Sequence, residues 1–342
     1  MQITTIGLDI AKTTFQVHGV DGEGKVVVAK RLRRGRVLGF FEKLGSCLVG
    51  MEACATSHHW AREIARHGHE VRLMPPGYVK PYVKRGKNDA ADAAAICEAV
   101  RRPSMRFVPV KSAAQQSALM LHRTRDLLIW QRTQLINALR GHLAELGLVA
   151  AKGREGVARL LALVADQGDE RLPALARFAC QALMGQLAAL QGQIGVLERR
   201  LHAEHRANEA SRRLETIPGI GVITASALVG TVTDPAAFRS GREFAAWIGL
   251  VPRQTSTGGK ARLGRISKQG DRYLRRLLVA GALAVLKQAR ARPDKHPWLT
   301  RLLARRPAKV AAVALANKMA RTAWAVLARG ESYRASAPAA AP

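Results

Sequence analysis

The strongest constraint on what this chain can fold into is a change of hydrophobic period part-way along it. Up to about residue 75 the apolar residues come in short, β-branched runs: ITTIGLDI at 3–10, FQVHGV at 15–20, VVVAKRL at 26–32, CLVGM at 47–51 and EVRLM at 70–74. From Ser112 they recur at three- and four-residue steps over long stretches, with almost no strand signal. The first pattern buries one face of a strand and the second one face of a helix, so the two regions call for different architectures. Asp21-Gly22-Glu23-Gly24, between the second and third runs, signals a hairpin. With helical stretches over 37–44 and 57–67, the order reads β-β-β-α-β-α-β, an antiparallel start followed by parallel crossovers, as in an α/β layer fold. Pro75, Pro76 and Pro81 interrupt the pattern, and Asn88 is placed to cap a helix over 89–101.

In the second region Leu183, Leu187, Leu190, Ile194, Leu197 and Leu201 follow the spacing of an amphipathic or coiled-coil helix. The expected organisation is therefore α/β plus all-α: an α/β unit over 1–111, a helical, coiled-coil arm over 112–211, a mostly helical unit over 212–331 and a disordered Ala/Pro/Ser tail over 332–342. The arm carries His122, Arg123, Arg125, Arg132 and Arg140. Two readings stand for them, a track for phosphates and a solvated basic face.

Charge narrows the partner. Lys and Arg number 55 against 25 Asp and Glu, a formal charge of +30 spread along most of the chain, which favours a polyanion. Membrane surfaces are anionic too, but the apolar stretch over 277–286 is far short of a span and is flanked by Arg275, Arg276 and Lys287. It reads as a buried helix, so no membrane partner is expected. Cys47, Cys54, Cys97 and Cys180 include no Cys-x-x-Cys pair, which argues against a zinc site or disulfide framework and for buried, reduced thiols. No basic segment leads into an apolar one at the start, so no export is expected and the cytoplasm is the expected compartment.

In a chain with few acids, their placement is informative. Asp9 lies near the end of the first strand-like run and Glu52 follows a later one, while Asp89 and Asp92 stand three residues apart on one helix and share a face. In a sheet packed against that helix all four could converge at one edge, where they would repel unless cations neutralised them. Mg²⁺ suits such a set because it prefers oxygen ligands and shares its sphere with phosphate. The plainer reading has Asp9 and Glu52 at strand-to-loop transitions, and Asp89 and Asp92 at the positive end of a helix.

Two further segments carry glycines among cations. Over 214–230, Pro218-Gly219-Ile220-Gly221 separates two apolar helical stretches. It looks like a helix-hairpin-helix element whose Gly219 and Gly221 let backbone N–H groups reach a phosphate; the alternative is a tight connection between packed helices. Over 249–278, hydroxyls at Thr255, Ser256, Thr257 and Ser267 lie among Arg253, Lys260, Arg262, Arg265, Lys268, Arg272, Arg275 and Arg276. A serine on such a mobile loop could attack a phosphodiester with cations offsetting the transition-state charge, whereas a phosphate-binding loop without chemistry is the commoner case.

Taken together, GLDIAK at 7–12, Glu52-Ala53, Lys87-Asn88-Asp89-Ala90-Ala91-Asp92-Ala93, the IPGIG hairpin and the block from GLVPR to SKQGDRYLRRLL resemble the DEDD transposases of the "one-ten" insertion-sequence family, also called bridge recombinases. The resemblance covers about 3–110 and 212–330; the arm agrees in character only. It implies a RuvC-like, RNase H-type N-terminal unit with Asp9, Glu52, Asp89 and Asp92 as Mg²⁺ ligands. It also implies a C-terminal unit whose serine forms a covalent phosphoserine link to a cut strand. Donor and target DNA, a structured guide RNA that pairs with both, and a dimer or tetramer in which the two halves meet across protomers are the implied partners, with nucleoid association in a bacterial cytoplasm when DNA is bound. One departure is visible. The family serine is often followed directly by glycine, but here the order is Thr255-Ser256-Thr257-Gly258-Gly259. Ser256 is the chosen nucleophile, with Thr257 as the alternative. The rival readings are a metal-dependent nuclease or resolvase that uses water, and a non-catalytic nucleic-acid-binding protein.

Overall fold

The computed structural model describes residues 2–84, 88–260 and 262–334. Lys87 of the acidic motif and the tail over 335–342 lie outside the described residues. The chain forms two compact units, residues 1–116 and 117–342.

The first unit contains β1 (Thr5–Ile10), β2 (Thr14–Val20), β3 (Val26–Arg33), α1 (Val37–Phe41), β4 (Leu48–Glu52), α2 (Ser57–Arg66), β5 (Glu70–Met74), the single turn α3 (Pro76–Val79) and α4 (Asp89–Val100). The expected β-β-β-α-β-α-β order is observed, with boundaries shifted by one to three residues: Glu52 is the last residue of β4 rather than the first after it, and the first helix ends at Phe41. The sheet order is β3-β2-β1-β4-β5. Strand β2 runs antiparallel to both of its neighbours, and β4 is parallel to β1 and β5.

Alternation along the strands divides the unit into three layers. Ile6, Leu8, Phe15, Val17, Val49, Met51 and Leu73 join Val37 and Phe41 of α1 and Trp60 and Ile64 of α2 in one core. The opposite face is covered by α4, whose Ala95, Ile96, Ala99 and Val100 pack with Met74 and Val79. Helix α4 lies unusually close to the sheet because Gly7 and Gly50 present no side chain to it. A Cβ on Gly7 would collide with the Ala93 carbonyl oxygen and the Cys97 amide, and one on Gly50 would stand 2.7 Å from Val100 Cβ. Gly7→Ala is therefore expected to destabilise the unit by about 3 kcal/mol or more, because backbone rather than a flexible side chain must yield. Urea unfolding checks this, and an unchanged midpoint counts against the packing described.

The second unit is helical apart from one hairpin. Its elements are α5 (Ala113–Glu145), α6 (Arg154–Ala165), α7 (Ala174–Ala207), α8 (Glu209–Glu215), α9 (Val222–Thr231), α10 (Gly241–Ile248), β6 (Pro252–Gln254), β7 (Leu263–Ile266), α11 (Arg272–Ala291), α12 (Pro297–Arg305) and α13 (Ala308–Arg329). On α7 the heptad positions Leu187, Ile194 and Leu201 are buried and Leu183, Leu190 and Leu197 half-buried, as an amphipathic seam requires. Helices α5, α6 and α7 share a small core that includes Leu139, Leu143, Leu160, Val164 and Cys180. A larger core joins α8 to α13 around Phe244, Leu274, Leu278 and Met319. The stretch over 277–286 lies inside α11, and no helix among the described residues is long and apolar enough to cross a membrane.

Two expectations need correcting. Cys54 is exposed, unlike Cys47, Cys97 and Cys180, because it follows β4 in the turn before α2. At the start of the stretch expected to be disordered, Tyr333 is held: it packs on the larger core and its backbone N–H donates to Thr216 Oγ1 at 2.9 Å.

Candidate active site

Four carboxylates collect at one edge of the first unit, and the reason is register. Leu8 pairs with Met51 across the parallel β1–β4 ladder, so the next residues, Asp9 and Glu52, stand side by side at the carboxyl ends of adjacent strands. Both fall on the face occupied by Gly7 and Gly50, the face that α4 covers. Helix α4 runs back across that face, with Cys97 donating its thiol towards the Thr5 carbonyl at 3.8 Å and Ala93 above Gly7, so its first turn overhangs the strand ends. That turn carries Asp89 and Asp92. It is fixed by Asn88, whose Oδ1 accepts from the Ala91 N–H at 2.8 Å as expected for an N-cap.

Electrostatics shows that these acids sense one another. Burial first, then the charge of Asp92 and then that of Asp89, raises the Asp9 carboxyl above its ordinary range. Glu52 is raised by burial, then by Asp9 and Asp92. Asp9, Glu52 and Asp92 are half-buried and Asp89 is exposed. Among the described residues no three or more His, Cys, Asp or Glu side chains are drawn together tightly enough to hold an ion as they stand. The donor set nevertheless fits a hard divalent cation, since it is all oxygen and its members disfavour one another's ionisation.

A pH dependence follows. A carboxyl whose folded-state pKa is raised contributes stability that is fully present below its ordinary pKa and lost as pH rises through the raised value. At neutral pH the metal-free protein has lost that contribution from Asp9 and Glu52. Asp9→Asn is thus expected to raise the melting temperature of the metal-free protein by a few degrees at pH 7, with the gain vanishing below about pH 4. Mg²⁺ should stabilise the wild type and do so much less in the variant. Thermal melts across pH with and without Mg²⁺ check both, and a destabilised variant at pH 7 would contradict the electrostatic account.

Sequence reasoning missed the neighbours of this cluster. Gln16 pairs directly with Asp9 across β1–β2, and His18 pairs with Gly7, so both point to the α4 face. Burial and then Lys84 push the His18 imidazole down, placing a cation near the same edge. Only the cross-strand register could have found them.

The segment over 252–270, expected as a mobile loop, forms a β-hairpin of β6 and β7. Its tip is a two-residue turn between Thr257 and Lys260, in which Gly258 and Gly259 have φ of 55° and 76°. Positive φ at both central positions is the hairpin turn whose twist matches the strands, and it explains the paired glycines. Ser256 Oγ accepts from Gln254 Nε2 at 3.0 Å and from the Arg262 N–H at 3.4 Å. Pairing of Gln254 with Leu263 and of Thr257 with Lys260 keeps one register, so Ser256 and Thr257 point to opposite faces of the ribbon. Arg253, Lys260, Arg262, Arg265, Lys268 and Arg272 are all exposed around it. Arg275 is not part of that display: its guanidinium donates to the Ile248 and Gln269 carbonyls and ties the hairpin base to the end of α10.

The glycine hairpin separates into two roles. Gly219, at φ 90°, is wedged against Gly281, Val285 and Met319, and a Cβ there would stand only 2.9 Å from the last two, so its place is explained by helix packing. Gly221 is exposed at the start of α9, with open space around it. On the arm, His122 is fully buried: its Nδ1 meets Tyr273 Oη at 3.2 Å and its Nε2 meets Ser226 Oγ at 3.1 Å. Burial, then Arg125, pushes its imidazole down to about 4. Arg125 pairs with Glu198, and Arg140 donates to the Ala150 and Ala151 carbonyls. Of the five basic arm residues, these three are engaged inside the unit; Arg123 is exposed and Arg132 half-exposed.

Comparison with known proteins places the chain in a family. Residues 6–147 match the DEDD transposase family of IS110 type, and residues 211–296 match the transposase IS116/IS110/IS902 family. A probable family 20 transposase of Pseudomonas aeruginosa is 51% identical over 336 residues, spanning 98% of this chain and 99% of its own. The transposase for insertion sequence element IS1111A of Coxiella burnetii is 41% identical, spanning 98% and 92%. That for element IS1328 of Yersinia enterocolitica is 40% identical, spanning 97% and 98%. With both family models matched and relatives at 40–51% identity aligned over nearly the whole chain, this chain belongs to the IS110 family of transposases.

Proposed function

We propose that this chain is an insertion-sequence transposase that cuts and rejoins DNA through a phosphoserine intermediate, with Asp9, Glu52, Asp89 and Asp92 as Mg²⁺ ligands and Ser256 as nucleophile. The observation that carries the reading is the convergence of the four acids at the ends of β1 and β4 in a chain of charge +30. A site meant only to hold phosphate gains nothing from acids placed there. When bound, Mg²⁺ supplies charge stabilisation to the oxygens of a reacting phosphodiester. The sheet order and the lone antiparallel β2 are compatible with a RuvC-like, RNase H-type unit, which we assign to 1–111, with an arm over 112–211, a serine-bearing domain over 212–331 and a tail over 332–342.

In the covalent step an Oγ–P bond forms as a P–O bond of the strand breaks. The serine hydroxyl gives up its proton and the departing strand oxygen takes one up. One phosphodiester replaces another, so no energy-rich cofactor is consumed. The exposed Arg253, Lys260, Arg262, Arg265, Lys268 and Arg272 offset phosphate charge around the hairpin, and Gly221 offers backbone N–H groups at the start of α9. Gly219 serves the same hairpin by packing it. A structured guide RNA selects donor and target DNA, and a homo-dimer or tetramer joins the acids of one protomer to the serine of another. The spread of positive charge supports a protein that reads backbone and shape while base pairing reads sequence.

A second reading has its own support, because the acids gather within the first unit whereas Ser256 belongs to the second: hydrolysis by water. Incubation with Mg²⁺, supercoiled DNA bearing the element's junction and the RNA encoded beside the gene separates the two on a denaturing gel. Protein retained on the cut strand supports transposition through serine; clean cleavage without adduct supports the hydrolytic reading.

A further inference from the structure

We propose that an open groove between α10, α12 and α13 binds an unpaired stretch of nucleic acid, phosphates against Arg242, Lys318 and Arg321 and a base against Trp298. The groove measures about 830 Å³, and among the described residues no Asp or Glu lines it. Trp298 is 39% exposed, whereas Leu299 beside it fills the core, so part of the indole is open to the groove. Lys318 Nζ stands 4.9 Å from the Trp298 ring centroid, which sets a cation and an aromatic face within one nucleotide's reach. The walls are fixed. Trp324 Nε1 donates to the Pro235 carbonyl at 3.0 Å, and Gly241 approaches Arg321 so closely that a Cβ would lie 2.9 Å from its carbonyl oxygen. Exposed cations interleaved with a displayed indole form the platform on which unstacked bases lie, while a base inside a duplex cannot offer its face.

This inference rests on the transposase reading only for the presence of nucleic acid. The unpaired strand could be RNA or DNA, which share phosphate and base chemistry. The test uses the full chain in fluorescence anisotropy with a labelled oligoribonucleotide, a DNA oligonucleotide of the same sequence, and a duplex. Trp298→Ala is expected to weaken binding of one or both single strands about tenfold, with Trp298→Phe close to wild type and the duplex unaffected. Lys318→Ala with Arg321→Ala should lower the slope of log affinity against log salt by about 1.4 on single strands. A control pair, Lys152→Ala with Arg159→Ala, removes two exposed cations that do not line the groove. Loss on RNA alone identifies an RNA occupant and loss on DNA alone a displaced DNA strand; either supports the site. An equal slope change in the control pair, an effect confined to the duplex, or unchanged binding by Trp298→Ala overturns it. If Trp298→Ala melts early, Trp298→Leu replaces it under the same criteria. Strand cleavage is scored separately, so binding lost without any wild-type cleavage leaves the groove standing and removes the transposase chemistry, and the converse result does the reverse.

Discussion

Asp92→Ala is expected to reduce DNA strand cleavage by about 10³-fold or more while nucleic-acid binding stays within about twofold of wild type. Asp92 is the acid that couples to both strand-end carboxylates: its charge raises Asp9 and Glu52 alike. On the proposed reading, removing it takes an oxygen donor from the metal site and a negative charge from a surface that would meet phosphate. The first effect suppresses the chemistry, and the second slightly favours binding. Stability separates this outcome from misfolding. Asp92 is half-buried in the first turn of α4, which Asn88 also holds, so relief of its repulsion with Asp9 and Glu52 offsets the loss of an acid at the helix N-terminus and should leave the metal-free melting temperature unchanged or raised. Cleavage assays, filter binding and melts on one preparation give the answer. A variant that binds poorly or melts early would make Asp92 structural and remove the main support for the catalytic reading.

Much of the first unit is legible in the sequence because its constraints are local. Period-two runs, the Asp21-Gly22 turn and the Asn88 cap each act over a few residues, and each is found where expected. The site is legible only in part, because convergence is a long-range property. That Asp9 and Glu52 are neighbours follows from a one-residue register between β1 and β4, and that Gln16 faces Asp9 follows from the β1–β2 ladder. Neither is written in the spacing of the acids. Gly7 carries a readable signal of its own: a glycine inside a strand marks close backbone approach, and here it admits the helix that brings Asp89 and Asp92 to the edge.

Charge is the less reliable guide in the second unit. Arg125 and Arg140 read either as a phosphate track or as a solvated face, and Arg275 as one cation of the glycine-rich block, yet each spends its donors on Glu198 or on backbone carbonyls. His122 is buried between Tyr273 and Ser226, where an imidazolium is disfavoured. An arginine or histidine side chain is long and polar enough to serve as internal scaffolding, and composition alone cannot separate that use from display. The paired glycines at 258 and 259 are a signal of the opposite kind: their positive φ values make a hairpin turn where a mobile loop was expected, and a Gly-Gly pair between two short runs is the local pattern that could have revealed it.

Ser256→Ala is expected to eliminate the protein–DNA adduct and lower recombination by about 10³-fold or more, with Thr257→Ala retaining both. The hairpin makes the pair decisive. Ser256 and Thr257 point to opposite faces of the β6–β7 ribbon, so a strand seated on one face meets only one of the two hydroxyls. Ser256 Oγ is already oriented, accepting from Gln254 and from the Arg262 N–H, which leaves its own proton directed away from those donors. Thr257 lies on the same face as Arg253 and Arg262, where phosphate charge is better offset, and this favours the rival. A primary hydroxyl is the less hindered nucleophile, whereas threonine's extra methyl crowds the approach to phosphorus. Both residues are exposed at the hairpin tip, so neither substitution should disturb the core around Phe244 and Leu274. The adduct is read by denaturing electrophoresis of labelled DNA and located by mass spectrometry of the trapped peptide. An adduct that survives Ser256→Ala and disappears with Thr257→Ala would transfer the nucleophile to Thr257, and one that survives both would place the covalent chemistry outside this hairpin.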